Sequence, residues 1–225
     1  MQPLAISRYS LVNSLGAGRR ATADALRAGR SGLRHCDFET VRLDTFIGRV
    51  PAIEDVRMSP GLELYDCRNN RLAQLALEQD DFAEAVAAMR DQYGPERIGV
   101  FIGTSTSGLL QAELAYRSRD PQSGALPEHF HYAETQNSFS VADFTQRYLG
   151  LAGPVYAVSS ACSSSAKVFG SAARMIATGM CDAAVVGGVD TLCLTTLYGF
   201  NSLELLSSRP CRPYDVARDG ISIGE

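Results

Sequence analysis

Tryptophan is absent from this chain, and histidine occurs only three times, at His35, His129 and His131. General-base chemistry by imidazole is therefore confined to very few positions. No Cys-x-x-Cys pair exists among the six cysteines (Cys36, Cys67, Cys162, Cys181, Cys193 and Cys211), and no Cys/His spacing matches a zinc site. We expect no metal and no cofactor. There is no excess of positive charge: 21 Lys and Arg stand against 25 Asp and Glu, a net charge of −4, which argues against a nucleic-acid partner. No stretch of about 18 apolar residues is available to span a bilayer. The opening "MQPLAISRYSLVNSLG" lacks the basic start, long apolar run and cleavage site of a secretory signal. A cytoplasmic chain with reduced thiols and no membrane partner is the expectation, because a chain of this length does not need disulfide staples.

What remains is ordinary core material. Hydrophobic residues make up 45% and charged residues 20% of the 225, enough for a soluble core. "LAISRYSLV" (Leu4–Val12) alternates loosely and predicts a first strand. "GAGRRATADALRAGRSG" has helical spacing and a closing glycine. Residues 33–60 mix charge, proline and single apolar residues, and read as loop with short strand pieces. In "CRNNRLAQLALEQ", Leu72, Leu75 and Ala76 fit the i, i+3, i+4 rule for a buried helix face. "DDFAEAVAAMRDQYG" predicts another helix.

"IGVFIG" (98–103) reads as a strand buried on both faces and runs into a small polar loop, "TSTSG". Leu109–Arg117 and "SVADFTQRYLG" read as helices, with a Pro- and Gly-bearing loop between them. "PVYAVSSA" is a strand, "SSSAKVFGSAARMIATG" a helix, and "CDAAVVGGVD" a third buried strand. "TLCLTTLYGFNSLELLS" is apolar and fits no single period. Strands alternating with helices imply an α/β fold with a largely parallel sheet.

One cysteine stands apart. Cys162 falls between a strand and a helix, among Ser160, Ala161, Ser163, Ser164 and Ser165. Small neighbours let a substrate approach, and serine suits a first helical turn. A helix N-terminus stabilises nearby negative charge by about 0.3–1 kcal/mol, which favours a thiolate. Its free N–H groups would also stabilise an oxyanion formed when a thioester carbonyl is attacked. Against this stands the common role of free cysteine as a small buried hydrophobe. Cys181 and Cys193 lie beside or within apolar runs and read as structural, and Cys36, Cys67 and Cys211 have no nucleophile context. His129 and His131, in "PEHFHY", share one side of an extended segment and form either a solvated loop, a base pair for Cys162 or a weak metal pair.

The stretch "GPVYAVSSACSSSAKVFGSAARMIATGMCDAAVVGGVD" resembles the active-site region of β-ketoacyl-acyl carrier protein synthases, the condensing enzymes of fatty-acid and polyketide assembly. "CRNNRLAQLAL" is similar to that family's early helix, and "IGVFIGTSTSGL" to its strand and small-residue loop beside the acyl pocket. "YGFNSLELLSSRPCRPYDVARDGISIGE" is similar to its segment of phenylalanine, small helix and "RP-D--RDG---GE". The resemblance covers nearly the whole chain and is most specific from Gly153 to Glu225. It implies a thiolase-like α/β fold, with residues 1–225 forming the N-terminal half of a five-layered α-β-α-β-α architecture and a mixed, mostly parallel sheet.

By this resemblance Cys162 is the nucleophile. It takes an acyl chain from a carrier-protein thioester, a malonyl thioester loses CO2, and the carbanion attacks the acyl-cysteine. Two histidines that usually assist belong to the second half, past Glu225. Thr106, in the pocket loop, and Phe200 become candidate substrate contacts. The opening lacks the glycines usual in the family's first turn, and "GTSTSG" is more polar than the common loop, which points to an unusual acyl chain, such as that of an aryl-polyene-type product. Expected partners are an acidic acyl carrier protein, met by a local basic patch for which Arg68, Arg71 and Lys167 are candidates, with plain solvation of each the competing reading, and a second copy in a homodimer. A free half exposes an apolar layer, with "GSAARMIATG" a candidate face, and is expected to be inactive in condensation on its own. Two other readings compete: a cysteine hydrolase using His129 or His131, and a non-catalytic partner like a chain-length factor, which the presence of Cys162 disfavours.

Overall fold

A computed structural model describes residues 3–225 of the chain. It begins with a small hairpin, β1 (Val12–Asn13) and β2 (Gly16–Ala17), followed by α1 (Arg19–Arg27). β3 (Leu33–His35) and β4 (Phe46–Gly48) pair antiparallel, and β8 (Ile223–Gly224) joins β4 in parallel. The remaining elements are α2 (Arg68–Leu77), α3 (Phe82–Tyr93), β5 (Ile98–Gly103), α4 (Leu109–Arg117), α5 (Ser140–Tyr148), β6 (Val155–Val158), α6 (Ser164–Ala177), β7 (Ala183–Gly188) and α7 (Leu194–Ser202).

The central sheet has the order β6-β5-β7, and both pairings are parallel. Every residue of β5 is buried, as its unbroken apolar run requires. Alternation sends its side chains to two cores. Ile98, Val100 and Ile102 pack with Ala73 and Leu77 of α2, Val86 of α3, and Val141 and Phe144 of α5. Phe101 packs on the other face with Val168 and Ala172 of α6. Helices thus cover both faces, with α6 on one side.

Several elements differ from expectation. Residues 4–11 form no strand; only Val12 and Asn13 pair, and Leu4, Ile6 and Tyr9 are exposed. Alternation alone did not supply an edge for them to bond. They run instead past β7, separated from it by a cleft of ≈ 430 Å³ between Leu4–Arg8 and Ala183–Val186. β7 is an edge strand rather than a buried one, and only Val185 of it is buried. On α2, Leu72 is buried as expected, but its companions are Ala73 and Leu77, while Leu75 and Ala76 are half-buried. The ambiguous segment after β7 contains a helix, α7, immediately preceded by Cys193.

Helix α6 buries Val168 and Ala172 but leaves Ala166, Phe169 and Ala177 open, with Phe169 51% exposed. No helix among the described residues is long and apolar enough to cross a membrane.

Candidate active site

The C-terminal ends of β5, β6 and β7 meet the start of α6. Two glycines make this junction close. A Cβ on Gly103, the last residue of β5, would fall 2.5 Å from the Ser164 carbonyl carbon, and one on Gly188, the last of β7, would overlap the Ser165 side chain. Any side chain at either place would push the helix start off the sheet.

Cys162 sits in the turn from β6 to α6 and is exposed. Ala161 before it adopts a left-handed conformation, φ +53°, which costs a non-glycine residue free energy and must be held by its surroundings. It is held at its carbonyl, which accepts from the Ser105 hydroxyl at 2.8 Å, the Ser164 hydroxyl at 2.6 Å and the Ser164 N–H at 3.0 Å. The Ser164 hydroxyl also accepts from the Ser160 N–H at 2.9 Å. Ser163 precedes the helix, but its hydroxyl donates to the Ser160 carbonyl at 2.9 Å and makes no cap bond.

Ser105 belongs to the loop after β5. That loop is organised by one oxygen of Asp190, just past β7. It accepts from the Ser105 N–H at 2.6 Å, the Thr106 N–H at 2.9 Å, the Thr106 hydroxyl at 3.0 Å and the Thr104 hydroxyl at 3.3 Å. The Thr106 hydroxyl accepts in turn from the Thr191 N–H at 3.0 Å. Thr106 is therefore buried within the scaffold of the loop, with its hydroxyl already engaged. Phe200 lies half-buried on α7, a helix that packs on α4 and on the cluster of Leu110, Leu192 and Leu197.

The histidines do not join this group. Among the described residues no hydrogen bond links the side chain of His129 or His131 to Cys162, and no cluster of three or more His, Cys, Asp or Glu side chains forms a metal site. All six cysteines are free; Cys67, Cys181 and Cys193 are buried, and burial pushes each of these thiols up, that of Cys67 to about 12.

A second polar cluster lies at the start of α2, and it corrects the expectation for Arg68. This guanidinium is not on a basic surface patch; it is 6% exposed and pairs with the fully buried Glu225 side chain. The Glu225 carboxylate also accepts the Val50 N–H at 2.9 Å and the Leu192 N–H at 3.1 Å. Arg68 reaches Glu54 as well, at 2.8 Å. Burial pushes the Glu54 carboxyl up, but hydrogen bonds from Arg68 and Arg49 outweigh it and hold it down at about 2. Arg71 pairs with Asp66, while Lys167 is exposed on α6. Asp190, Ser105 and Glu225 were not singled out individually from the sequence, although each lies in a stretch read there: "CDAAVVGGVD", "TSTSG" and the closing "GE".

Comparison with known proteins fits this geometry. The family model described as Beta-ketoacyl synthase, N-terminal domain, matches residues 1–225. A 3-oxoacyl-[acyl-carrier-protein] synthase 2 from Vibrio cholerae is 28% identical over 240 residues, covering 98% of this chain and 55% of its own length. A putative polyketide beta-ketoacyl synthase 1 from Streptomyces cyaneus is 27% identical, with 99% of this chain and 56% of its own length covered. Among solved structures, a ketosynthase in complex with its chain length factor from Xenorhabdus doucetiae superposes with a TM-score of 0.80 at 32% identity, covering all of this chain and 57% of that one. The chain thus spans little more than half the length of these relatives. The family model that spans the whole chain and the superposition on a ketosynthase of the same thiolase-like α/β arrangement show that this chain belongs to the β-ketoacyl synthase family.

Proposed function

We propose that the chain is the N-terminal half of a condensing enzyme in which Cys162 carries the growing acyl group. The thiolate attacks the carbonyl of an acyl thioester borne by a carrier protein. A tetrahedral oxyanion forms, and its collapse expels the carrier's thiolate and leaves an acyl-cysteine. A malonyl thioester then loses CO2, its carbanion attacks the acyl-cysteine carbonyl, and the Cys162 thiolate departs.

One observation carries the reading: Cys162 is open to solvent on a turn whose preceding residue is held in a left-handed conformation, directly before a helix. A helix start favours negative charge, and its unpaired N–H groups suit an oxyanion. Thr106 acts on the acyl side through the loop it helps to hold, and Phe200 offers a half-buried ring to the chain. The second half of the domain supplies the remaining polar groups. A second copy completes a homodimer, and an acidic carrier protein delivers both thioesters.

The test is peptide mapping of the complete synthase after incubation with an acyl carrier protein thioester. An acyl adduct on Cys162, absent in Cys162→Ala together with all condensation, is expected. An adduct on another residue, or condensation that survives Cys162→Ala, refutes the reading.

A further inference from the structure

We infer that Ser105 and Asp190 are positioning residues for the Cys162 turn, acting through the Ala161–Cys162 peptide. The inference rests on the reading that Cys162 is acylated. The Ala161 carbonyl is gripped by three donors, and only one of them, the Ser105 hydroxyl at 2.8 Å, comes from outside the turn and helix. The chain has no cis peptide bond among its described residues, so this peptide is planar and trans. Its N–H therefore points opposite to its C=O. Turning the carbonyl toward Ser105 and Ser164 turns the Cys162 N–H to the opposite side of the peptide, away from those two hydroxyls. That is the donor nearest the sulfur, and its direction is set by what holds the carbonyl.

Ser105 is exposed and lies on a loop, and a free loop would not hold a partner to a fixed geometry. Asp190 makes the loop rigid. A single carboxylate oxygen takes two backbone N–H groups and two hydroxyls, all from Thr104–Thr106, at 2.6–3.3 Å. Charge-assisted bonds of this kind are roughly twice as strong as neutral ones. The loop is tied back a second time, by the Thr191 N–H on the Thr106 hydroxyl at 3.0 Å. The result is a chain of contacts across the three parallel strands: from Asp190 beyond β7, to the loop beyond β5, to the turn beyond β6. Each link crosses a strand end, so the nucleophile's orientation depends on residues 57 and 28 positions away in sequence.

A group that orients a reacting centre through the backbone alters rate more than binding, because the attack angle is set here. Ser105→Ala removes one hydrogen bond of about 0.5–1.5 kcal/mol, a factor of about two to ten. The experiment measures acylation of Cys162 in the complete synthase by single-turnover mass spectrometry, across a range of acyl carrier protein thioester concentrations. We expect Ser105→Ala to lower the saturating acylation rate about five- to tenfold, with the half-saturating concentration changed less than about twofold. Ser105→Thr, which keeps the hydroxyl, restores the rate. Asp190→Ala slows acylation more than Ser105→Ala does, and Asp190→Asn, which keeps an acceptor oxygen without the charge, falls between Asp190→Ala and the wild type. Asp190→Asn also carries the test should Ser105→Ala lose its fold.

A wild-type rate in Ser105→Ala and Asp190→Asn overturns the inference and leaves the acyl-cysteine reading intact. So does a loss borne by the half-saturating concentration alone, or a loss that Ser105→Thr does not repair. Wild-type protein that is never acylated on Cys162 overturns the reading and the inference with it.

Discussion

Three cysteines stand at helix starts, and they have opposite fates. Cys67 and Cys193 immediately precede α2 and α7 without making a cap bond, while Cys162 lies two residues before α6. Position at a helix start treats them alike. The surroundings do not. Cys67 and Cys193 are buried, and the first amides of their helices are already taken by acceptors from α4: Gln111 accepts from the Arg68 N–H at 3.3 Å, and Glu113 accepts from the Leu194 and Thr195 N–H groups at 2.8 and 2.7 Å. α6 opens without a side-chain cap, and Cys162 is exposed. The lesson is one of magnitude. A helix start favours a thiolate by at most about 2 kcal/mol. Burial that carries Cys67 from 9.0 to about 12 favours the neutral thiol by roughly 4 kcal/mol, so burial wins.

The largest expected effect is on reactivity. Burial that lifts the Cys67 thiol from 9.0 to about 12 cuts its thiolate near neutral pH about a thousandfold and shuts out the reagent as well, whereas Cys162 is exposed. Iodoacetamide should therefore modify Cys162 at least about a thousandfold faster than Cys67 in the folded protein, and equally fast in urea. Peptide mapping that finds both modified together before unfolding breaks the contrast between the two helix starts.

Next comes stability. The start of α2 is sealed by the buried Arg68–Glu225 pair, and removing one partner of such a pair costs about 3–5 kcal/mol. Glu225→Gln should therefore destabilise strongly. Ser163→Ala, at the open start of α6, should cost about 1 kcal/mol or less. Urea unfolding of the two variants side by side measures the difference, and equal losses would show that the two helix starts are not distinct in this way.

The smallest effect is on acid stability. The Glu54 carboxyl is at about 2 when folded against 4.5 as a free group, so the folded state binds its proton less readily. Its contribution is fully present above about pH 4.5 and is lost as pH falls toward about 2. Glu54→Gln should flatten the decline in melting temperature between pH 5 and pH 2, relative to wild type. An unchanged slope would detach Glu54 from the Arg68 cluster.

Much of the frame was legible in the residues. "IGVFIG" announced a fully buried strand, and the Ala-rich and Leu-bearing segments announced α3 and α4 at nearly their observed bounds. Cys162 was legible for a local reason, since a strand, a run of small residues and a helix are consecutive in the chain. The failures were long-range. Alternation in Leu4–Val12 describes a strand only if an edge is offered, and none pairs with residues 4–11. Arg68 looks like a surface cation until Glu225, 157 positions on, is folded onto it. That the Thr106 hydroxyl is engaged by Asp190 and Thr191 is likewise invisible locally, since its partners lie 84 and 85 positions on.

By itself the sequence determined most of the helices and the strands of the central sheet, and that a cysteine falls between β6 and α6. Those are matters of neighbouring side chains and backbone preference, settled within a few residues. Tertiary structure alone decided which cysteine is open and which are shut away, and which carboxylate orders the loop beside it. Solvent exposure and hydrogen-bond satisfaction depend on groups brought together from distant parts of the chain, and no local pattern encodes that meeting.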